Sequence, residues 1–304
     1  NGKAQLLFQS LNAKKEKGVY LGANAALGRR GIRMKFFPEN PILVYRPFHL
    51  NERNYLYLAD RGRIYGDVRL YDDQGTGIHF YTNREDTIAD QEMTVELSRI
   101  DLKQFKKVLP YLPDVEGWLG GSLHYVDSEG QMMLSADMNL DNFVYEKSPL
   151  GNWAMSGAYL PGDNNAHHVD GFITYNDQEI IYMNGVYQAD ETGQENITGE
   201  LELQHFPLQV INPFIPEKMV GFTGDIDGTL SMTGSPMKPV LNGGLQLDSV
   251  LMIMPDMSVG FRFDNKQVKM QDSKMVFDKF NIYTRGETPF VVNGSVDFSD
   301  MGKM

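Results

Sequence analysis

The sequence predicts an all-β protein, an elongated curled β-sheet of repeated units with an apolar interior and short interspersed helices. Three observations predict this fold class: abundant glycine, abundant aromatic residues, and short runs in which apolar and polar residues alternate. Glycine supplies 30 of the 304 residues, and tyrosine and phenylalanine supply 15 and 17. These aromatic residues suit a pleated, half-buried surface, and Asn-Gly and Asp-Gly steps favour the tight turns that join adjacent strands.

The composition excludes several classes of function. The formal net charge is −12 and no basic stripe is present, so nucleic acid is not an expected partner. The absence of cysteine excludes disulfides, thiol catalysis and cysteine-based metal sites. No apolar run is long enough to predict a membrane-spanning helix. Because the sequence starts at Asn1 and stops at Met304 within its pattern, we expect a fragment of a larger protein.

A long internal repeat organises the sequence. Gly117 corresponds to Gly224 at an offset of 107 residues. The same offset relates Leu119 to Ile226, Gly121 to Gly228, Leu123 to Leu230, Leu134 to Leu241, Leu140 to Leu247 and Asp141 to Asp248. A fixed period is typical of stacked supersecondary units. We therefore divide one continuous domain into residues 1–95, a diverged N-terminal β-repeat, and residues 96–201 and 202–304, each a β-repeat with a short helix.

Each of the two clearer units begins with a predicted short helix. Its apolar residues are spaced three and four apart, which places them on one helix face. They are Leu102, Phe105 and Leu109 in one unit, and Leu208, Ile211 and Phe214 in the other. Prolines at and after the ends limit both helices to about two turns. A different stretch, Asp163 to Asp170, is predicted to be one exposed loop.

The predicted strands have one apolar and one polar face, because their apolar residues recur with a period of two. The apolar face of a sheet must be shielded from water, and a sheet that curls along its length turns this face into the lining of a trough. The 17 methionines either make that surface adaptable or fill gaps in a core. The residues assigned to the apolar surface are Leu119, Leu123, Leu134, Met138, Leu140, Ile226, Leu230, Met232, Leu241, Leu245, Leu247, Val259, Phe261 and Phe263.

One segment resembles a known family. Between Gly221 and Val250 the sequence reads GFTGDIDGTLSMTGSPMKPVLNGGLQLDSV, and a weaker version covers Gly117 to Tyr145. The order of its glycines, the Gly-Ser-Pro step and the final Leu-x-Leu-Asp is similar to the translocation and assembly module inner-membrane component (TamB-like, within the AsmA-like group). The remainder of the chain matches that family only in the spacing of its predicted strands.

The resemblance implies a fold, a location and a function. The fold is a β-taco, a long curled sheet with a hydrophobic interior, in which the residues of the apolar surface line a lipid-binding groove. Such proteins have an inner-membrane anchor, which we expect outside this sequence, and cross the periplasm. They carry phospholipid between the inner and outer membranes and engage an outer-membrane barrel protein of the BamA/TamA type.

Residues capable of catalysis or metal binding form no convincing pattern. His167 and His168, with Asp163 and Asp170, are the one cluster that resembles metal ligands. Adjacent histidines point in different directions in most backbones, so a solvated loop is favoured over a metal site. No nucleophile elbow or phosphate-binding loop appears in the sequence. We predict a chain without enzymatic activity, cofactor or metal.

Two alternatives to a lipid conduit stay open. The first is a scaffold or chaperone for outer-membrane protein assembly, in which open sheet edges add strands from a client protein by β-augmentation. The second is a β-solenoid that acts on polysaccharide, which requires carboxylates and aromatic residues grouped on one exposed face. Trp118 and Trp153 are the two tryptophans, and they are too far apart in sequence to support it.

Overall fold

A computed structural model describes residues 2–83, 91–107, 109–128, 130–189, 192–216, 219–284, 286 and 288–299. The chain divides into two compact units, unit 1 (Asn1–Ser156) and unit 2 (Gly157–Met304), which are taken separately below. Every strand pairing described within either unit is antiparallel, which confirms the all-β fold and is consistent with a curled sheet. The boundary at Ser156 falls within the second predicted repeat unit, and the bounds of the repeats stay a prediction.

Unit 1 is a meander in which consecutive long strands lie side by side. Its strands are β1 (Lys3–Leu11), β2 (Lys17–Leu27), β3 (Gly31–Leu43), β4 (Arg46–Pro47), β5 (His49–Leu50), β6 (Tyr55–Ala59), β7 (Ile64–Tyr71), β8 (Gly77–Thr82), β9 (Gln91–Asp101), β10 (Val115–Ser128) and β11 (Gln131–Tyr145). The short β4 and β5 pair with β3 and β7, and the others pair in chain order from β1 to β11. The next strand, β12 (Ser148–Pro161), spans the boundary between the units.

Unit 2 is also a meander. Its strands are β13 (Ala166–Tyr175), β14 (Gln178–Ala189), β15 (Glu195–Pro207), β16 (Gly221–Ser235), β17 (Lys238–Met254), β18 (Val259–Phe263), β19 (Gln267–Gln271), β20 (Lys274–Tyr283) and β21 (Phe290–Asp297). The strands β18 and β19 both lie between β17 and β20, so they act as two pieces of one interrupted strand.

The two predicted helices are present, and both are 3₁₀ helices. They span Leu102–Lys107 and Leu208–Phe214 and are called helix 102–107 and helix 208–214 below. Each has about two turns, as the sequence predicts, although Pro213 lies inside the second helix. Single 3₁₀ turns occur at Asp60–Gly62, Asp163–Asn165 and Pro255–Met257. No helix among the described residues has the length and hydropathy needed to cross a membrane.

The sequence repeat corresponds to a repeated structure. The order β9, helix 102–107, β10, β11 in unit 1 recurs in unit 2 as β15, helix 208–214, β16, β17. Each copy has a β-bulge whose extra residue is left-handed: Asn142 in β11 (φ 52°) and Ser249 in β17 (φ 54°). Because a bulge sharpens the local bend and twist of a strand, both copies bend at the same point.

The predicted loop at Asp163 to Asp170 is wrong in its second half. Only Asp163–Asn165 forms a turn, and β13 begins at Ala166, so His167 and His168 lie in a strand. The first half of this strand has no apolar alternation in its sequence, and His167 makes polar and aromatic contacts instead. The Tyr159 hydroxyl and His167 Nδ1 share a hydrogen bond, and the Tyr187 ring lies 5.7 Å from the His167 ring.

Candidate apolar binding faces

The strand register of unit 1 joins its apolar residues into one surface, called apolar face 1. Residues directly opposite each other in antiparallel strands share a face, so the pairings extend the surface from strand to strand. It consists of Leu6, Phe8, Ala23, Ala25, Ile32, Met34, Leu56, Leu58, Val68, Leu70, Ile78, Phe80, Val95, Leu97, Leu119, Leu123, Leu134, Met138 and Leu140. Nine strands at about 4.8 Å spacing give it a width of roughly 40 Å.

Apolar face 1 is only partly covered by protein. Phe8 is 67% exposed, and Leu123 and Leu134 are 39% and 40% exposed. Ile32, Leu58 and Ile78 also expose more than a third of their surface. Single exposed apolar side chains are ordinary, whereas a contiguous set makes this surface a candidate binding face.

In unit 2, the cross-strand pairs join apolar residues into a second surface, called apolar face 2. It consists of Ile173, Ile181, Met183, Leu201, Leu203, Ile226, Leu230, Met232, Leu241, Leu245, Leu247, Val268, Met270 and Met275. Val259, Phe261 and Phe263 of β18 continue it beyond the Ser249 bulge, where Phe261 lies opposite Met252 and Phe263 contacts the Phe280 ring. This face is more covered than apolar face 1, since Val268, Met270 and Phe280 are at most 8% exposed.

The fourteen residues that the sequence assigns to the apolar surface all fall on these two faces. Leu119, Leu123, Leu134, Met138 and Leu140 lie on apolar face 1, and the other nine lie on apolar face 2. None of the fourteen is fully buried. Their grouping therefore places them where a ligand could reach them, while their role in binding one stays a prediction.

Two equivalent glycines allow neighbouring strands to approach within these surfaces. Gly121 and Gly228 have φ values of 129° and 147°, a conformation that side chains rarely adopt. A Cβ atom would lie 2.1 Å from the Asp137 carbonyl oxygen at Gly121, and 2.2 Å from the Gly244 oxygen at Gly228. Both copies of the repeat thus need glycine at this position for a backbone reason.

The opposite side of unit 1 carries a polar and aromatic network that the sequence analysis missed. The Arg33 guanidinium lies 5.0 Å from the rings of both Tyr55 and Tyr57, and Tyr57 stacks on Tyr65. The sequence signal that could have revealed this network is the recurrence of tyrosines and charged residues at every second position of neighbouring strands, as at Tyr55 and Tyr57 in β6. Arg33 thus contacts one face of each of these two rings, and the network lies on the side of the sheet opposite apolar face 1.

Carboxylates join the same network further along the sheet. His79 Nε2 lies 3.1 Å from Asp67 Oδ1, and His79 Nδ1 lies 3.6 Å from Glu96 Oε2. The Tyr81 hydroxyl donates a hydrogen bond to Glu96 Oε1 (2.9 Å), which raises the pKa of Tyr81 above its ordinary value. These groups satisfy one another, as expected of a solvated strand face. In the part of the chain that the structure describes, no group of three or more His, Asp or Glu is arranged to hold a metal ion.

The architecture defines a class of protein: an antiparallel β-sheet protein of repeated units with an open apolar face. Comparison with protein-family models, with curated proteins and with solved structures found no match.

Proposed function

We propose that this chain is a lipid-binding module that holds the acyl chains of phospholipids against its apolar faces. The observation that carries the proposal is apolar face 1, which continues over nine paired strands and stays partly exposed. Its side chains are leucine, isoleucine, valine, methionine, phenylalanine and alanine, which offer no charge to a head group. An acyl chain is the lipid part that matches such a surface.

Binding of this kind is passive partitioning of hydrocarbon out of water. Each methylene that leaves water contributes about 0.8 kcal/mol, so a long chain needs no specific polar contact. Because the face is a row of similar side chains, no position along it is strongly preferred. Such a surface suits movement of lipid along the sheet.

The repeat motif at Gly221 to Val250 supports a more specific assignment. We extend the proposal to the periplasmic segment of a TamB/AsmA-like protein, which moves phospholipid between the inner and outer membranes and serves outer-membrane biogenesis. An inner-membrane anchor outside the present sequence and an outer-membrane barrel partner of the BamA/TamA type belong to the same proposal.

Native mass spectrometry of the purified chain tests lipid binding directly. We expect co-purifying phospholipid, and we expect Leu123→Asp to lower its amount at least tenfold, since a carboxylate on the face makes it unfavourable for hydrocarbon. Leu123 is 39% exposed, so the substitution is compatible with folding. Leu230→Asp repeats the test at the equivalent position of unit 2.

Matched controls lie one residue away. Ser122 and Thr229 precede these leucines in β10 and β16 and point to the opposite side of the sheet. Ser122→Asp and Thr229→Asp should leave the bound phospholipid unchanged. Lipid content that is equal in all four variants and the parent chain contradicts the proposal.

An assembly scaffold is the second candidate, and the edge strand β1 favours it. Among the described strands β1 pairs only with β2, and Leu6, Leu7 and Phe8 are 58%, 53% and 67% exposed. An apolar edge with free backbone groups is a template for an added strand. Leu7→Lys distinguishes the assembly scaffold from the lipid-binding module, because the Leu7 side chain lies on the side of β1 opposite apolar face 1. The substitution should weaken binding of a barrel-strand peptide and leave the amount of bound phospholipid unchanged.

A further inference from the structure

Unit 1 contains a cavity of about 370 Å³ at one end of apolar face 1. Leu70 and Ile78 belong to the face and form part of its wall. Phe105 lies in helix 102–107 and Leu109 follows that helix, and both line the cavity from the other side. The helix therefore covers the end of the face and turns it into a pocket of the size that small-molecule sites have.

The charged residues of the lining, Arg46 and Asp101, already have protein partners. The Arg46 guanidinium donates to Asp72 Oδ2 (2.7 Å) and Gln74 Oε1 (2.9 Å). Asp101 accepts hydrogen bonds from the Lys103 backbone N–H (3.1 Å) and from Gln104 Nε2 (2.6 Å). Gln104 Oε1 has no partner, but it is closed off from solvent and so is out of reach of a ligand. The lining thus favours an apolar occupant.

The cavity is partly open to solvent, since Ile78 and Phe105 in its lining are 40% and 38% exposed. Water that enters it finds few polar partners, and the apolar lining atoms lack the packing contacts that a filled space would give. A hydrocarbon group of matching volume restores the contacts without needing a hydrogen bond.

Backbone strain at the cavity provides an independent observation. Val44 lines the cavity from the turn between β3 and β4 and has a φ of 52°. Glycine and asparagine favour this left-handed conformation, whereas a β-branched residue there is strained. Among the described residues Val44 is the only β-branched one with a positive φ. Strain of this kind persists where a side chain serves a site, and here it presents an isopropyl group to the cavity.

We infer that this cavity is a discrete binding site for the end of one alkyl chain, with helix 102–107 as its cover and Val44 as a lining residue. The inference deepens the proposed lipid-binding function, on which the choice of ligand rests. It adds a saturable site with one chain per unit 1 to an otherwise uniform surface. The site selects for chain length and against branching or charge near the chain end.

Titration calorimetry with alkyl maltosides below their micelle concentrations tests the inference. We expect one site per chain, with affinity rising about fourfold for each methylene from octyl to dodecyl maltoside. Val44→Gly should raise the melting temperature, because it relieves the strain, and should weaken dodecyl maltoside binding about tenfold. That opposite pair of effects is not expected of a residue with a merely structural role.

Phe105→Ala and Phe214→Ala form a matched pair of helix variants. Phe105 lines the cavity and is 38% exposed, whereas Phe214 lies in helix 208–214 and is 58% exposed. We expect Phe105→Ala to weaken maltoside binding at least fivefold and Phe214→Ala to leave it unchanged. Equal affinities for the parent, Val44→Gly and Phe105→Ala chains overturn the inference, as does a lack of saturable binding. Either result leaves the phospholipid test of the apolar faces intact, so the two failures are distinguishable.

Discussion

Helix 102–107 and helix 208–214 occupy equivalent positions in the repeat, yet they are held in different ways. Helix 208–214 buries Leu208 and Val210, which are 8% and 5% exposed. The Asn212 side chain also bonds both the N–H and the carbonyl of Phe222, each at 2.8 Å. Helix 102–107 buries no residue and covers a cavity instead.

Two ion pairs connect helix 102–107 to the start of β10 and the residue before it. Lys106 is bonded to Asp114, and Lys103 Nζ lies 2.6 Å from Glu116 Oε1. Exposed ion pairs contribute little to stability, whereas buried apolar side chains contribute several times more. One repeat pattern therefore yields a tightly packed helix in unit 2 and a loosely held cover in unit 1.

The largest effect on stability is expected at a position where the two copies of the repeat have the same residue, the equivalent glycines Gly121 and Gly228. Gly121→Ala and Gly228→Ala should each lower the free energy of unfolding by more than about 3 kcal/mol, because a Cβ meets a carbonyl oxygen and φ is positive. Gly75→Ala is the control: Gly75 has a φ of 80° but open space around it, so the cost should be about 1 kcal/mol. Urea unfolding measures all three. Equal losses of unfolding free energy in Gly75→Ala and Gly121→Ala would show that the close contact with the Asp137 carbonyl oxygen does not contribute to the effect.

A medium effect is expected where the two helices differ. Leu208→Ala should lower the free energy of unfolding by about 2–5 kcal/mol, since it empties a buried position. Phe105→Ala should cost less than about 1 kcal/mol, because its side chain is 38% exposed beside an existing cavity. The comparison uses thermal and urea unfolding under the same conditions. A larger cost for Phe105→Ala would mean that helix 102–107 is the better packed of the two.

The smallest effect concerns pH. The hydrogen bond from Lys106 holds the pKa of Asp114 below its ordinary value of 3.8. A carboxyl with a lowered native pKa stabilises the fold above its unfolded pKa and loses that contribution as pH falls through the native value. The parent chain should therefore be slightly more stable than Asp114→Asn by the same amount from pH 7 to pH 5, and the difference should begin to fall near pH 3.8 and vanish only below the lowered native pKa of Asp114.

The pH series has a built-in control in the other helix. Helix 208–214 has no acidic residue in its first turn and no basic residue in its last turn. The cost of Leu208→Ala should consequently be the same at pH 7 and pH 4. A difference between the parent chain and Asp114→Asn that changes between pH 7 and pH 5 would contradict the assigned ion pair.

Local patterns were sufficient to predict much of the fold. Alternation placed Leu134, Met138 and Leu140 on one side of a strand, and three- and four-residue spacing located both helices. These signals succeed because a strand or a short helix faces its surroundings with a simple period. The prediction failed at His167 and His168, because their strand is held by Tyr159 and Tyr187 and shows no apolar alternation.

The features that carry the further inference were beyond the reach of sequence. Val44 resembles an ordinary strand residue, and only the turn geometry reveals its strained conformation. The cavity needs Leu70, Ile78 and Phe105 to meet, although they are distant in sequence. Likewise, no pattern in the sequence distinguishes a helix that buries Leu208 from one that leaves Phe105 exposed.

By itself, the sequence determined that this protein is an all-β repeat with one apolar and one polar face on its strands, since those properties follow from local periodicity. The expectation of turns at Asn-Gly and Asp-Gly steps was wrong: such steps lie within strands, for example Asn184-Gly185 in β14 and Asp227-Gly228 in β16. Only the tertiary structure decided which residues share a face, how far each face is covered, and that one helix covers a cavity while its counterpart is packed. Burial and strain depend on contacts between residues far apart in the chain, and these form only when the strands pair in register.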